Sequence, residues 1–450
     1  MATLLITHAA RIETLDDRAS SIKDGSIFVR DGMIEAIGPA EDLPTAERVL
    51  DARGCLVMPG LVNTHHHFLQ TLTRAVPQAQ NSELFDWLRV LYPMWGRITP
   101  EGMRSATAIA CAELLLSGCT TASDHTYMWP NGCRIEDQIE VAREIGLRYH
   151  AGRGSISLGE SQGAAPPDAC CESEPAILIE TQRAIERHHD PARFAMTRIV
   201  NAPATLFLVS IDLMRESIAL ARSYGVTSHT HLAETLDEER YCLERFGRRP
   251  VEMMEELGWV GPDVWHAHVV HPSADEVGRI GATQTGVAHC PTSNMRLGSG
   301  IAPIRALIDA GARVGIGVDG SASNDSSHLL DEARHMLLLG RVLGGASALT
   351  AREALRVATR GGAAVLGRDD IGVLAPGMAA DLIGIRLDSL EMSGGAVHDA
   401  LAAVLFCRSN RVDFNVVNGE VLVEHGALTR LDVDRLVAQH NVLARQLFRS

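Results

Sequence analysis

The sequence predicts an α/β protein, a (β/α)8 TIM barrel with a small β-sandwich domain built from both chain ends. Three observations predict it. Over residues 60–368 short apolar runs alternate with longer helical patterns, and repeated strand–helix alternation implies a parallel sheet. About eight such units over roughly 300 residues suit a closed barrel better than an open sheet. The ends, 1–58 and 369–428, read instead as short strands with glycine turns, so they pair into one domain with the barrel, 59–368, inserted between them.

The opening MATLLITHAARIETL lacks a basic start and a long apolar core, and reads as a strand, not a signal peptide. SIFVRDGMIEAIG is two apolar runs joined by Asp31-Gly32, a strong hairpin signal. From RGCLVMPGLVNTH the regime changes. Strand candidates follow in CTTASDH, ARFAMTRIVNAPA, GVTSHTHLAET, DVWHAHVV, TGVAHCP and ARVGIGVDG, with helical patterns such as SATAIACAELLLSG and IEDQIEVAREIG between them. After residue 368, GVLAPGMAADLIGIRLD and VDFNVVNGEVLVEHG both look like hairpins, and 429–450 close the chain as an amphipathic helix.

Composition narrows the function. With 46% apolar and 22% charged residues the chain has soluble globular composition, and no 18-residue uncharged apolar run suggests a membrane span. A formal net charge of −15 repels nucleic acid and anionic membranes and favours a small neutral substrate. Nine scattered cysteines without a CxxC pair point to a reducing cytoplasm rather than a disulfide framework. The large apolar-rich barrel and its terminal helix suggest a homo-oligomer. Of 41 basic residues only Lys23 is a lysine.

NTHHHFLQ, residues 63–70, lies between a buried-looking strand and a helix. In a strand alternate side chains share a face, so His65 and His67 point one way and His66 the other. They sit where the first strand ends, at the mouth that carries barrel active sites. HTHLAET (229–235), AHVVH (267–271) and GIGVDGSASND (315–325) place further His, Glu and Asp residues at predicted strand ends. Several strand ends supplying N and O ligands to one point is the arrangement of a catalytic zinc, with Fe2+ or Mn2+ compatible with the same donors. His229 and His231 share a strand face, and by spacing alone either qualifies as a ligand.

HxH on the first strand, HLAE on the fifth, AH on the sixth and VDG on the eighth resemble the amidohydrolase superfamily, in its deaminase and chlorohydrolase branch. PGLVNTHHHF, AHCPTSNMRLGSG and GMAADLIGI extend the resemblance over nearly the whole chain. The resemblance implies His65, His67, His231 and Asp319 as metal ligands, and Glu234, His268 and Asp319 as catalytic residues. Many of these enzymes bridge two metals with a lysine on the fourth strand. No lysine lies in the barrel, and RIVNAPATLF offers neither glutamate nor cysteine, so one zinc ion is expected.

A metal-activated water with an acid that protonates a ring nitrogen suits hydrolytic deamination of an aminated heterocycle. The resemblance favours a purine-like substrate, 8-oxoguanine giving urate and ammonia, with isoxanthopterin and guanine next and s-triazine dechlorination as the alternative. Gln70 offers an amide to a purine or pteridine edge, or is a solvated helix residue. Trp87, expected in the long loop after the first strand, caps the ring or belongs to the core. Arg153 and His289, at the third and seventh strand ends, bind carbonyl oxygens or brace nearby backbone. NAPATLFLVS departs from the APxxPY-like stretch of many relatives and places Ala204 and Thr205 at the fourth strand's end. GIGVDG matches GxGxxG literally, but its first glycines lie inside a strand, so it carries no nucleotide-binding reading.

Overall fold

A computed structural model describes residues 2–407 and 410–449. Eight parallel strands close into a barrel in chain order. They are Leu61–Asn63, Cys119–Thr126, Arg148–Ser155, Thr197–Pro203, Ser228–Leu232, Val264–His268, Gly286–His289 and Arg313–Ile316. The eighth pairs back to the first through Ile316 and Asn63. Helices link the strands, and Ser or Thr side chains start several of them. Thr99 caps Pro100–Leu116 and Ser210 caps Ile211–Tyr224, each accepting a backbone N–H of the first turn that lacks an intrahelical partner.

Strands from both ends form one nine-stranded mixed sheet. Along its main path run Ala427–Leu428, Glu420–Glu424, Phe414–Val417, Leu382–Arg386, Cys55–Pro59, Thr3–Glu13, Ser21–Arg30 and Met33–Gly38, with Arg48–Asp51 on Thr3–Glu13. Buried residues of the N-terminal strands, such as Ile6, Ile27 and Val57, share an apolar cluster with Leu382, Phe414 and Val416 of the C-terminal ones. The hairpin turns are local in origin. Asp31-Gly32 and Asn418-Gly419 have φ of 48° and 80°, and 49° and 80°, the two positive values a tight hairpin turn requires.

GVLAPGMAADLIGIRLD supplies a single strand, not a hairpin. Its first half finds backbone partners elsewhere: Gly377 N donates to Ile34 O and Ala380 N to Gly32 O. Those contacts use the groups a second strand would need.

Cys55–Pro59 belongs to the terminal sheet and Leu61–Asn63 to the barrel, so the chain crosses at Gly60, where a Cβ would collide with Thr120. A second tie is the fully buried, two-pronged pair of Arg148, at the start of the third barrel strand, with Asp381, both N···O distances 2.9 Å. The C-terminal helix, Val433–Arg449, packs on Pro100–Leu116 and the turn Phe68–Thr73. His440 pins it there, with ring nitrogens 3.0 Å from Ser105 Oγ and 3.1 Å from Thr71 O. Among the described residues no helix is long and apolar enough to cross a membrane.

Candidate active site

Beyond the first and eighth barrel strands the chain adds a two-stranded parallel pair, His66–His67 with Asp319–Gly320. Asp319 was expected at the end of the eighth strand. That strand ends at Ile316, and Asp319 is carried on this extension instead. Its backbone N–H donates to His65 O at 3.1 Å, which fastens the two segments together. Asp319 and His268 have φ of 60° and 72°, a left-handed conformation that costs energy for residues other than glycine and clusters at functional sites.

The side chains converge. His65 Nε2 and His67 Nε2 lie 3.1 Å and 3.2 Å from Asp319 Oδ1, and His67 Nε2 lies 3.1 Å from His231 Nε2. One donor atom each from His65, His231, His268 and Asp319 lies within 4.8 Å of the others. His67 Nδ1 is 2.6 Å from His125 O, and His231 Nδ1 is 2.8 Å from Ala204 O. A carbonyl oxygen only accepts, so both rings carry a proton on Nδ1, and in the neutral rings Nε2 is the lone pair turned toward the other ring. His65 Nε2 and Asp319 Oδ1 are buried without a hydrogen-bond partner. Lone pairs and a carboxylate oxygen turned on one point are a stable arrangement only around a cation, and the donor set fits a transition metal.

The two carboxyl groups are pushed apart. Burial raises Glu234 above its ordinary pKa, with His268 opposing and Asp319 reinforcing the shift. Burial acts the same way on Asp319, but contacts to His65 and His67 hold it well below the usual carboxylate range. Opposed shifts in neighbouring carboxyls separate a proton donor from a carboxylate that rests ionised. His268 Nε2 stands between them, 3.7 Å from Glu234 Oε2 and 4.0 Å from Asp319 Oδ2, while its Nδ1 meets Asn294 Oδ1 at 2.9 Å.

A cavity opens beside these groups. His67, His231, Glu234, His268 and Asp319 line one side, and Leu84, Trp87, Leu88, Phe207 and Leu297 give it an apolar wall. Gln70 also lines it, as do Ala204 and Thr205 from the unusual fourth-strand end. Gln70 is a buried residue of a 3-10 turn, not a solvated helix position. Trp87 lies in the helix Leu84–Trp95, not in a loop, and both lines the cavity and belongs to the apolar core.

Arg153 and His289 do not line this cavity. The Arg153 guanidinium is held by Glu172 at 2.6 and 3.1 Å, bonds Gly154 O and lies over the Trp129 ring. His289 is buried at the end of its strand. His66 turns away to Ser327 Oγ at 3.0 Å, and His271 to Ser299 O at 2.7 Å.

Sequence reasoning passed over His125, although it ends the second strand in CTTASDH as the other histidines end theirs. It lies within metal-binding distance of His67 and His231. Ser293 and Ser323, which donate to Asp319 Oδ2 at 2.6 and 3.0 Å, carried no sequence signal.

A closed parallel barrel with converging imidazoles and a carboxylate at its C-terminal mouth defines a barrel metallohydrolase. The chain matches the Amidohydrolase family over residues 56–422 and belongs to it. It is 48% identical over 428 residues to the 8-oxoguanine deaminase of Pseudomonas aeruginosa, covering 94% of this chain and 95% of that protein. It is 39% identical to the hydroxydechloroatrazine ethylaminohydrolase of a Pseudomonas species, covering 96% and 93% of the two chains. Among solved structures, the atrazine chlorohydrolase of Arthrobacter aurescens TC1 complexed with zinc superimposes with a TM-score of 0.93 at 34% identity, over 98% of this chain and all of that one.

Proposed function

We propose that the protein is a zinc-dependent hydrolytic deaminase of a purine-like heterocycle, converting 8-oxoguanine to urate and ammonia. The observation that carries this reading is a buried Glu234, its pKa raised by burial, lining the same cavity as His268 and Asp319, whose carboxyl is held well below the usual carboxylate range. The 48% identity to an 8-oxoguanine deaminase supports the choice of substrate.

In this reading His65, His67, His231 and Asp319 hold the zinc. The chemistry a bound zinc supplies is Lewis acidity, which brings water close to ionisation near neutral pH. Glu234 delivers its proton to the ring nitrogen beside the amino-bearing carbon, which makes that carbon electrophilic. His268, fixed by Asn294, orients the attacking water and polarises it. Asp319 Oδ2 takes one proton of the attacking water and gives it to the amino group, which departs as ammonia, while the hydroxyl left on the carbon returns its proton to Glu234 as the carbonyl forms. Gln70 and Trp87 form the substrate face; Arg153 and His289 are left out of it.

The same proposal covers the division into a terminal β domain (1–58 and 369–428), a barrel (59–368) and a closing helix (429–450). It also covers a cytoplasmic location, a homo-oligomeric state and the absence of nucleic-acid partners, supported by the net charge of −15 and the scattered cysteines.

The test is ammonia and chloride release by zinc-loaded protein given 8-oxoguanine, guanine, isoxanthopterin and a chlorotriazine side by side. Ammonia from 8-oxoguanine above the rest is the expected result. Chloride from the triazine without ammonia from any purine or pterin would replace this reading with the dechlorinase one.

A further inference from the structure

His67 and His231 give their Nδ1 protons to backbone carbonyls, but His65 does not. Its Nδ1 meets the Nε2 of another histidine, His229, at 2.7 Å. The far nitrogen of that ring, His229 Nδ1, lies 3.0 Å from Trp265 O. A carbonyl only accepts, so His229 carries its proton on Nδ1 and presents an Nε2 lone pair. The hydrogen between the rings therefore belongs to His65 Nδ1. His65 Nε2 is then the lone pair, buried and turned toward Asp319 Oδ1.

The His229 ring is locked in plane. It stacks on the Trp265 indole with centroids 4.7 Å apart and 17° between planes, and it is 1% exposed. It does not line the substrate cavity. Its Nε2 is committed to His65, so it is not free to ligate, although strand spacing put it on the same face as His231.

We propose that His229 is a positioning residue. By accepting from His65 Nδ1 it fixes the tautomer and plane of that ring, and so sets the affinity of the site for zinc. The proposal rests on the reading of His65 as a zinc ligand. An imidazole relay anchored on Trp265 O does for His65 what a single carbonyl does for His67 and for His231. Groups that orient a metal ligand in this way commonly govern affinity.

The test is zinc affinity, measured by competition with a chromophoric chelator on full-length wild type, His65→Ala, His229→Gln and His229→Phe. Glutamine carries an acceptor near the position of Nε2, whereas phenylalanine keeps the stack on Trp265 and has none. His229→Phe is expected to bind zinc about 10- to 100-fold more weakly, and His229→Gln to recover most of that loss. Wild-type affinity in His229→Phe, or equal losses in the two His229 variants, would overturn the proposal. His65→Ala separates this from the underlying assignment: if it binds zinc like wild type, His65 is no ligand and the site reading itself fails. Should His229→Phe not fold, imidazole 15N NMR of the wild-type protein decides. A protonated Nδ1 on His65 facing a bare Nε2 on His229 is expected, and the reverse pattern overturns the relay.

Discussion

Gln70 and Trp87 hold the two ends of one residue: Gln70 Oε1 accepts the N–H of Ala322 at 3.2 Å, and the Trp87 indole N–H donates to the Ala322 carbonyl at 3.1 Å. Two segments that line the cavity are thereby tied to the loop that follows Asp319. Trp87→Phe leaves the Ala322 carbonyl buried without a partner, at a cost of about 1–3 kcal/mol. That loosens the loop after Asp319 where it meets the cavity, and KM for the purine substrate should rise. Steady-state kinetics on a purified variant of normal zinc content would show it, and an unchanged KM would remove Trp87 from the substrate face.

Ser293 and Ser323 both donate to Asp319 Oδ2, which orients the carboxylate. Replacing either by alanine should weaken zinc binding about tenfold, and replacing both should approach 100-fold. Chelator competition measures this directly; full affinity in the double variant would mean that the backbone alone orients Asp319.

Glu234→Gln removes the transferable proton while keeping shape. Turnover should fall by about a hundred- to ten-thousand-fold with one zinc per chain retained. Near-normal turnover would show that another group is the acid.

Arg148 and Asp381 lie at the junction of barrel and terminal sheet, both fully buried. Arg148→Met strands a buried carboxylate and should cost about 3–5 kcal/mol. Denaturant unfolding of this variant beside Arg148→Met/Asp381→Leu gives the check. The double variant should be the less damaged of the two, because no lone charge remains.

Glu332, held by Asn324 Nδ2 at 2.8 Å and Thr292 N at 3.1 Å, is pushed up to about 7 by burial from an ordinary value of 4.5. Between those values the native state keeps a proton that the unfolded chain has released. This group's contribution to stability is therefore greatest below about pH 4.5 and is lost as pH rises through about 7. Glu332→Gln should flatten the fall in thermal midpoint between about pH 5 and about pH 8. Parallel profiles for wild type and variant would show that Glu332 titrates normally.

Much of the site was legible because it is written in strand-end motifs. The two-residue period separates His65 and His67 from His66, and the structure turns them in those directions. Turn chemistry at Asp31-Gly32 and Asn418-Gly419 is equally local. The count of one lysine bears on the number of metals before any fold is known. Each of these follows from neighbours along the chain.

What only the tertiary structure decided depends on contacts between distant segments. Arg153 pairs with Glu172 and lies outside the lining of the cavity, although nothing in HAGRG hints at it. The hairpin expected in GVLAPGMAADLIGIRLD is a single strand because its first half bonds to the turn around Gly32. His229 and His231 share a face and look alike in sequence. They part only because Trp265 O and His65 meet one ring, and Ala204 O and His67 meet the other. Residue type and period state which donors are available. Which nitrogen is free to bind is set by the acceptor folded against the other, and that acceptor comes from elsewhere in the chain.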